Sequence, residues 1–172
     1  AIMSAVALAT CAVMPLVISL QPLIFGISQL VTALQIGVFF AIGLYKVRKP
    51  GSLLIMALMM GLIQLMMSPP MFLSSVLNGV LIELIVLLLF RGYEKDGAVF
   101  CAAMLHTPLS LPFNYLYNRL VKGADSPLAA VADRAPLAAV GMTLAVVAVS
   151  ALGALIGIKI ARELKKSGVL KK

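Results

Sequence analysis

The stretch MFLSSVLNGVLIELIVLLLF, from Met71 to Phe90, contains a single charged side chain, Glu83, over its whole length. A helix needs roughly 20 apolar residues to cross the hydrocarbon core of a bilayer. Ser68-Pro69-Pro70 precedes the stretch, and the hydrophilic segment Arg91-Gly92-Tyr93-Glu94-Lys95-Asp96-Gly97 follows it. The pattern therefore predicts a transmembrane helix, and similar breaks divide the rest of the sequence.

The amino-acid composition also indicates that most of the protein surface faces lipid. Of the 172 residues, 62% are hydrophobic and only 12% are charged, and the mean hydropathy is +1.10. Soluble domains carry about 25% charged residues, so this composition excludes an ordinary water-exposed surface. The net charge of +8 does not indicate nucleic-acid binding. The basic residues stand at the ends of apolar segments, without aromatic or Gly-rich neighbours that would stack on bases.

The breaks predict an all-α integral membrane protein, a bundle of six transmembrane helices. Residues 1–172 form a single transmembrane domain with a charged cytoplasmic tail at 159–172. The stretch from Gln21 to Gln29 is apolar for a loop, and whether it re-enters the membrane stays open. The predicted helices span residues 2–20, 28–45, 52–67, 71–90, 98–120 and 137–158.

Basic residues near the helix ends predict the orientation, because cytoplasmic loops are rich in Lys and Arg. By helix parity, 11 of the 14 Lys and Arg residues fall on one side, and the other side has Arg119, Lys122 and Arg134. Both termini are therefore predicted to be cytoplasmic, in a multi-pass protein of a prokaryotic plasma membrane.

Two prolines interrupt the fifth predicted helix, at Pro108 and Pro112. A proline inside a helix removes a donor and kinks the chain. In a membrane the carbonyl groups that it frees are tolerated only where neighbours or a cavity satisfy them. We expect such partners around this helix.

Polar side chains within the apolar segments mark a candidate site, because they are unfavourable in a bilayer. Counting at about 1.5 Å per residue places Gln35, Glu83 and His106 about 12–15 Å above the cytoplasmic ends, with other polar groups higher. Two alternatives stay open for Glu83 and His106: they form a structural pair with each other, or they contact a ligand. Gln35 and Gln64 either belong to the site or only hydrogen-bond neighbouring helices to each other. The candidate substrate-binding residues are Gln64, Asn78, Glu83, His106, Asn114 and Tyr117.

No enzymatic motif is present in the sequence. Glu83 is the one acid within the predicted helices, and HExxH, P-loop and GxSxG patterns are missing. A lone His106 is a poor metal site, and Cys11 and Cys101 lack CxxC spacing. We predict neither an enzyme nor a metal or cofactor protein. Active transport would then need energy from a partner.

Small residues recur on two helix faces and would allow close helix approach. On the first helix they are Ala1, Ala5 and Ala9, four residues apart. On the sixth they are Gly141, Ala145, Gly153 and Gly157. Docking of a partner and packing within the chain both remain open for these faces.

Three short pieces carry a family resemblance: Ile2-Met3-Ser4, Arg48-Lys49-Pro50-Gly51, and Asn78-Gly79 shortly before Glu83. With them the chain resembles the substrate-binding S components of energy-coupling factor (ECF) importers, nearest to the thiamine type with a dedicated coupling module. The resemblance implies six spans and two kinds of partner, a transmembrane coupling (T) subunit and two cytoplasmic ATPase subunits. It also implies that Ala1, Ala5 and Ala9 dock on the coupling subunit, and that the protein captures a vitamin outside and then rotates in the membrane.

The sequence departs from the thiamine type at two points. Gln64 stands where that relative carries an acid, and Trp is absent. The ligand therefore stays open between thiamine, its pyrimidine precursor and a more apolar compound. Two other functions remain as alternatives. One is a self-sufficient small transporter or channel, and the other is an accessory subunit in which Glu83, Gln64 and Asn78 satisfy one another.

Overall fold

The computed structural model describes residues 26–66, 69–121, 123 and 127–168. Within these ranges the backbone is helical apart from turns. The first predicted helix, and with it Ala1, Ala5 and Ala9, lies outside the described residues. The helices are α1 (Ile27–Lys46), α2 (Ser52–Leu65), α3 (Pro69–Phe90), α4 (Asp96–Val121), α5 (Pro127–Arg134) and α6 (Pro136–Lys166).

Prolines begin three of these helices: α3 starts at Pro69, α5 at Pro127 and α6 at Pro136. The predicted helices that correspond to α3 and α6 began just after their prolines. Proline suits the first turn of a helix because the amide hydrogen that it lacks has no partner there. α2 nevertheless ends before the prolines, at Leu65.

The last helix extends beyond Ile158, the predicted end of its transmembrane span. α6 has 31 residues and continues through the charged segment to Lys166. Residues of this segment such as Arg162 and Glu163 are good helix formers. Lys165 and Lys166 in the last turn also interact favourably with the helix dipole. The polar connection at 121–136 likewise contains a helix, the 8-residue α5.

Three described helices are long and apolar enough to cross a membrane: α1, the Met71–Phe90 part of α3, and α6. α2 is shorter at 14 residues, and α4 has 26 residues but carries more polar side chains. Large apolar side chains point outward from the bundle, including Leu88, which is 82% exposed, and Leu144, which is 65% exposed. Lipid rather than water is the solvent that suits such a surface.

α4 lies at the centre of the bundle and packs against α1, α3 and α6. Around it, α1 pairs closely with α6 and α2 pairs with α3. The main buried core joins α1, α2, α3, α4 and α6 and includes the ring of Tyr93 from the α3–α4 loop. Tyr93 and Phe40 are the largest fully buried side chains within the described residues.

Glycines permit the closest helix contacts. A Cβ at Gly153 would overlap the carbonyl oxygen of Leu34, and one at Gly157 would lie 2.6 Å from the carbonyl oxygen of Val38. Half of the small-residue row on α6 therefore serves packing against α1. The Cβ position of Gly141 has no atom of the described residues within 4 Å, so this end of the row does not take part in the α1–α6 contact.

An ionic cluster joins three elements at one end of the bundle. The carboxylate of Asp96, the first residue of α4, accepts hydrogen bonds of 2.6 Å from Arg48 and from Arg162. Arg48 also donates to the carbonyl of Glu94 and lies 4.0 Å from the ring centre of Tyr45. Partial burial alone would raise the pKa of Asp96. The hydrogen bonds from Arg162 and Arg48 outweigh that effect and hold this pKa below its usual value.

Candidate binding site

Glu83 belongs to a structural contact near the turn between α1 and α2. One carboxylate oxygen accepts the backbone N–H of Gly51 at 2.6 Å, and the other accepts the hydroxyl of Tyr93 at 2.9 Å. Gly51 has a φ of 85° and is the N-cap of α2, without a side-chain cap of its own. Amides at a helix start lack helical acceptors and favour negative charge. Glu83 therefore caps α2 from the neighbouring helix.

These contacts bear on whether Glu83 pairs with His106, one of the two alternatives that the sequence left open. Both carboxylate oxygens of Glu83 are engaged elsewhere, and the two ring nitrogens of His106 have no hydrogen-bond partner in the described structure. The two residues do not act as a pair.

His106 is buried in the middle of α4 with its polar atoms unused. It is 6% exposed, and its ring lies against that of Phe40, with centroids 4.3 Å apart and an interplanar angle of 36°. A neutral imidazole has one donor and one acceptor nitrogen. Leaving such groups unpaired in a buried site is unfavourable by about 1–3 kcal/mol each. His106 therefore retains unmet bonding capacity inside the bundle.

Thr107 has the same property, in contrast to Thr32 and Thr143, the other threonines that the structure describes. The hydroxyl groups of Thr32 and Thr143 each donate at 2.8 Å to a carbonyl one helical turn back, at Ser28 and Ala139. The hydroxyl of Thr107 is buried and has no partner in the described structure. A helical Thr ordinarily has this backbone acceptor within reach. Thr107 therefore adds an unused hydroxyl beside His106.

Asn78, on α3, is the third buried residue with a polar atom that lacks a partner in the described structure. It is 1% exposed, and its Oδ1 has no hydrogen-bond partner within the residues described. Ser75 donates to Ala57 of α2 at 3.1 Å, and Gly79 packs on the same Ala57. At 100° per residue, Asn78 lies about 60° from Ser75 and about 100° from Gly79 around α3, on the flank of the surface that faces α2. Among the described helices, α4 is the other one that packs closely on α3, and we infer that Asn78 lies on the flank towards α4.

The three residues also lie at similar heights. α3 and α4 are joined by a short loop and run antiparallel, and the Cβ position of Gly97 is 3.5 Å from the ring of Phe90. Counting from this contact at about 1.5 Å per residue places Asn78 about 18 Å and His106 about 14 Å up the bundle. The offset is less than one helical turn. Asn78, His106 and Thr107 are called the polar cluster below.

The prolines of α4 have the consequence that the sequence predicts. Pro108 has no N–H for the carbonyl of Met104, four residues earlier. The hydroxyl of Ser150 on α6 donates to this carbonyl at 2.8 Å. Ser150 is fully buried. A neighbouring helix thus satisfies one of the freed backbone groups.

The remaining predicted site residues lie away from the polar cluster or make other contacts. Gln64 is in the last turn of α2 and is partly buried. Asn114 and Tyr117 are partly buried further along α4. Gln29 accepts a hydrogen bond of 2.8 Å from Ser28. Gln35 is partly buried and has an interaction partner.

Near the other end of α4, α5 is tied to this helix. Asp133 of α5 accepts a hydrogen bond of 2.7 Å from the hydroxyl of Tyr115 and lies 3.7 Å from Arg119. Arg119 also donates to the Tyr115 hydroxyl. These contacts fix α5 beside α4, above the polar cluster along the helix.

Metal-binding groups do not gather in the parts of the chain that the structure describes, where no three His, Cys, Asp or Glu side chains come together. Cys101 is a free, partly buried cysteine, and Cys11 lies outside those parts. The polar cluster instead offers amide, imidazole and hydroxyl groups. Such groups bind a small organic molecule through hydrogen bonds.

Sequence reasoning missed Thr107, Phe40 and Tyr93. A hydroxyl residue just before Pro108 is the one local signal that could have drawn attention to Thr107. Nothing in the hydrophilic segment around Tyr93 indicates that its ring is buried or that it reaches Glu83. These contacts depend on how the helices rotate against one another.

The apolar helices and the outward apolar surface define the class: this is a multi-pass integral membrane protein. More specifically, the chain belongs to the bacterial family described as "hypothetical bacterial integral membrane protein (Trep_Strep)", which matches residues 1–166. No curated protein and no solved structure matches the chain.

Proposed function

We propose that this protein is the substrate-binding S component of an ECF-type importer, which captures a vitamin or related micronutrient from outside. The observation that carries the proposal is the polar cluster. Asn78, His106 and Thr107 each have a buried polar atom without a partner in the described structure. A bound molecule would satisfy these atoms, and an interior evolved only for packing gains nothing from them.

The proposed topology has six spans and both termini in the cytoplasm. The distribution of charge supports it. Arg48, Asp96 and Arg162 meet at one end of the bundle, whereas Arg119 and Asp133 meet near the other end of α4. Most of the basic residues lie at the first of these ends, which the positive-inside rule makes cytoplasmic.

Cysteine labelling tests this topology. In a background without Cys11 and Cys101, Arg134→Cys should react with a membrane-impermeant maleimide in intact cells. Glu163→Cys should react only after permeabilisation. Both positions are exposed. The reverse pattern, or equal labelling, would contradict the proposed orientation.

The partners proposed from the family resemblance are a transmembrane coupling subunit and two cytoplasmic ATPase subunits. Ala1, Ala5 and Ala9 would form the docking face. Replacing Ala5 and Ala9 by Leu should abolish association with the coupling subunit and leave ligand binding intact. Association that persists would count against docking through this helix.

The decisive experiment identifies a ligand. The purified protein is extracted, and the small molecules released are identified by mass spectrometry, with a thermal-shift panel of vitamins and precursors beside it. We expect a stoichiometric small molecule or a raised unfolding temperature. If no molecule is released and no compound raises the unfolding temperature, the accessory-subunit alternative is favoured. That alternative requires a partner for Asn78, whose Oδ1 has none among the described residues.

A further inference from the structure

The chemistry of the polar cluster is limited to uncharged groups. Asn78 contributes an acceptor oxygen, Thr107 a hydroxyl that both donates and accepts, and His106 one donor and one acceptor nitrogen. An imidazolium without an acceptor would be far less favourable in this buried position than the neutral ring. The cluster therefore presents donors and acceptors without a net charge.

Glu83, the acid inside the apolar helices, is not available to a ligand. Its two oxygens accept from Gly51 and Tyr93, at 2.6 Å and 2.9 Å. The other acids that the structure describes lie in the α3–α4 loop, at the start of α4, in α5 and in the last turns of α6. No described carboxylate therefore remains to balance a cation held at the polar cluster.

Apolar side chains form the rest of the surroundings. The ring of Phe40 covers His106, and Leu105 and Leu109 of α4 are partly buried in the core beside it. A binding site of this kind has apolar walls with a few convergent polar groups. A molecule with apolar faces and hydrogen-bonding groups on its edge fits both features.

Resting on the proposed function, we infer that the polar cluster of Asn78, His106 and Thr107 takes an uncharged nitrogen heterocycle and excludes organic cations. The faces of such a ring pack against apolar side chains such as Phe40. Its ring nitrogens and substituents exchange hydrogen bonds with the three polar residues. A positively charged ring would enter the same interior without a counter-ion, which is strongly unfavourable.

Two probes that share one ring separate these possibilities. The first is 4-amino-5-hydroxymethyl-2-methylpyrimidine, which is uncharged above neutral pH. The second is thiamine, which carries the same aminopyrimidine joined to a thiazolium cation. A third, 2-aminobenzyl alcohol, keeps the amino and hydroxymethyl groups and lacks the ring nitrogens. Binding of each to the purified protein in nanodiscs is measured by calorimetry.

We expect the pyrimidine to bind at least about tenfold more tightly than thiamine and than the benzene analogue. Where another molecule is released from the purified protein, it should be an uncharged nitrogen heterocycle. Tighter binding of thiamine, or a released ligand that is charged or lacks ring nitrogens, would overturn this inference and leave the proposed function standing. No released molecule and no response to the vitamin panel would overturn the proposed function itself.

The variant Thr107→Val provides a second readout, because it removes an unpaired hydroxyl with little change of shape. Replacement of an unsatisfied buried group by an apolar one should leave the unfolding temperature of the free protein unchanged or higher. Affinity for the pyrimidine should fall about tenfold. The control is Thr32→Val, whose hydroxyl bonds Ser28 within α1 and which should retain the affinity. A lower stability of Thr107→Val with unchanged affinity would show that Thr107 is structural and would contradict its part in the site.

Discussion

The hydroxyl of Ser150 donates a hydrogen bond of 2.8 Å to the backbone carbonyl of Met104. Pro108, four residues after Met104, has no N–H to offer that carbonyl. A proline in α4 and a serine in α6 are therefore energetically coupled, although they are 42 residues apart in the sequence. The pair shows how this bundle compensates for a break inside a membrane helix.

This coupling makes a testable prediction. Ser150→Ala should destabilise the folded protein by about 1 kcal/mol, since it leaves a buried carbonyl unpaired. In a Pro108→Ala background the same change should have a smaller effect, because an alanine at this position restores the backbone N–H. Unfolding in mixed micelles measures both.

The matched control for this cycle is Ser110→Ala. The Ser110 hydroxyl bonds the carbonyl of Thr107 within its own helix, at 2.6 Å. Its removal should have the same effect with and without Pro108. Equal effects of Ser150→Ala in the two backgrounds would show that Ser150 does not compensate for the proline.

A second prediction concerns the cap formed by Glu83. Tyr93→Phe and Glu83→Gln should each lower the free energy of unfolding by about 1–3 kcal/mol. Tyr93→Phe leaves one carboxylate oxygen of Glu83 without its donor, and Glu83→Gln replaces one of two acceptor oxygens by an amide donor. The double variant should lose less than the sum, because both changes break the same hydrogen bond. Chemical denaturation of the three variants provides the measurement.

Glu94→Gln, in the same loop as Tyr93 but with an exposed side chain, is the control and should behave like the wild type. Folded Glu83→Gln should keep its affinity for the bound small molecule. Weaker binding by a stable Glu83→Gln protein would place Glu83 in the ligand site and argue against its assignment as a cap.

The third prediction follows from the glycines of α6. Gly153→Ala should destabilise the protein by about 1–3 kcal/mol, because a Cβ there would overlap the carbonyl of Leu34. Gly141→Ala, at the other end of the same row, meets no atom within 4 Å in the part of the chain that the structure describes. It should be neutral or slightly stabilising, since Ala is favoured over Gly in helices by about 1 kcal/mol. Similar melting temperatures of the two variants would contradict the packing of α1 against α6.

The fourth prediction is a pH dependence at Asp96. The pKa of this carboxyl is lower in the folded protein than its unfolded value of about 3.9. Its contribution to stability is therefore fully present above the unfolded pKa and is lost as the pH falls through the folded pKa. Asp96→Asn should lower the unfolding temperature at neutral pH, and its difference from the wild type should shrink in acid.

The size of this effect is modest, about 0.5–1 kcal/mol, because solvent screens the partly exposed cluster. High salt should reduce it further. Glu163→Gln is the comparison: Glu163 pairs with Lys166 on the surface, where their side chains are 70% and 74% exposed. This variant should show no such pH-dependent difference. A difference in unfolding temperature between Asp96→Asn and the wild type that stays constant down to strongly acid pH would contradict the role of the ionic cluster.

The sequence predicted two of the three polar-cluster residues and failed to predict their neighbours. Asn78 and His106 stood out because amide and imidazole groups are rare inside apolar segments. Thr107 did not, since a helical threonine usually bonds its own backbone. Whether Glu83 pairs with His106 stayed open from the sequence, because depth along a helix says nothing about which way its neighbours turn.

Local properties of the chain determined the membrane class and the approximate helix positions. Apolar length, prolines and charged turns act on each segment separately, so they can be read without knowing its neighbours. Only the tertiary structure decided that Gly51 and Tyr93 donate to the carboxylate of Glu83 and that Ser150 donates to the carbonyl freed by Pro108. It also decided that Asn78, His106 and Thr107 have polar atoms without a partner among the described residues. Those outcomes depend on the rotation and spacing of helices that are far apart in the chain, and packing of the whole bundle sets both.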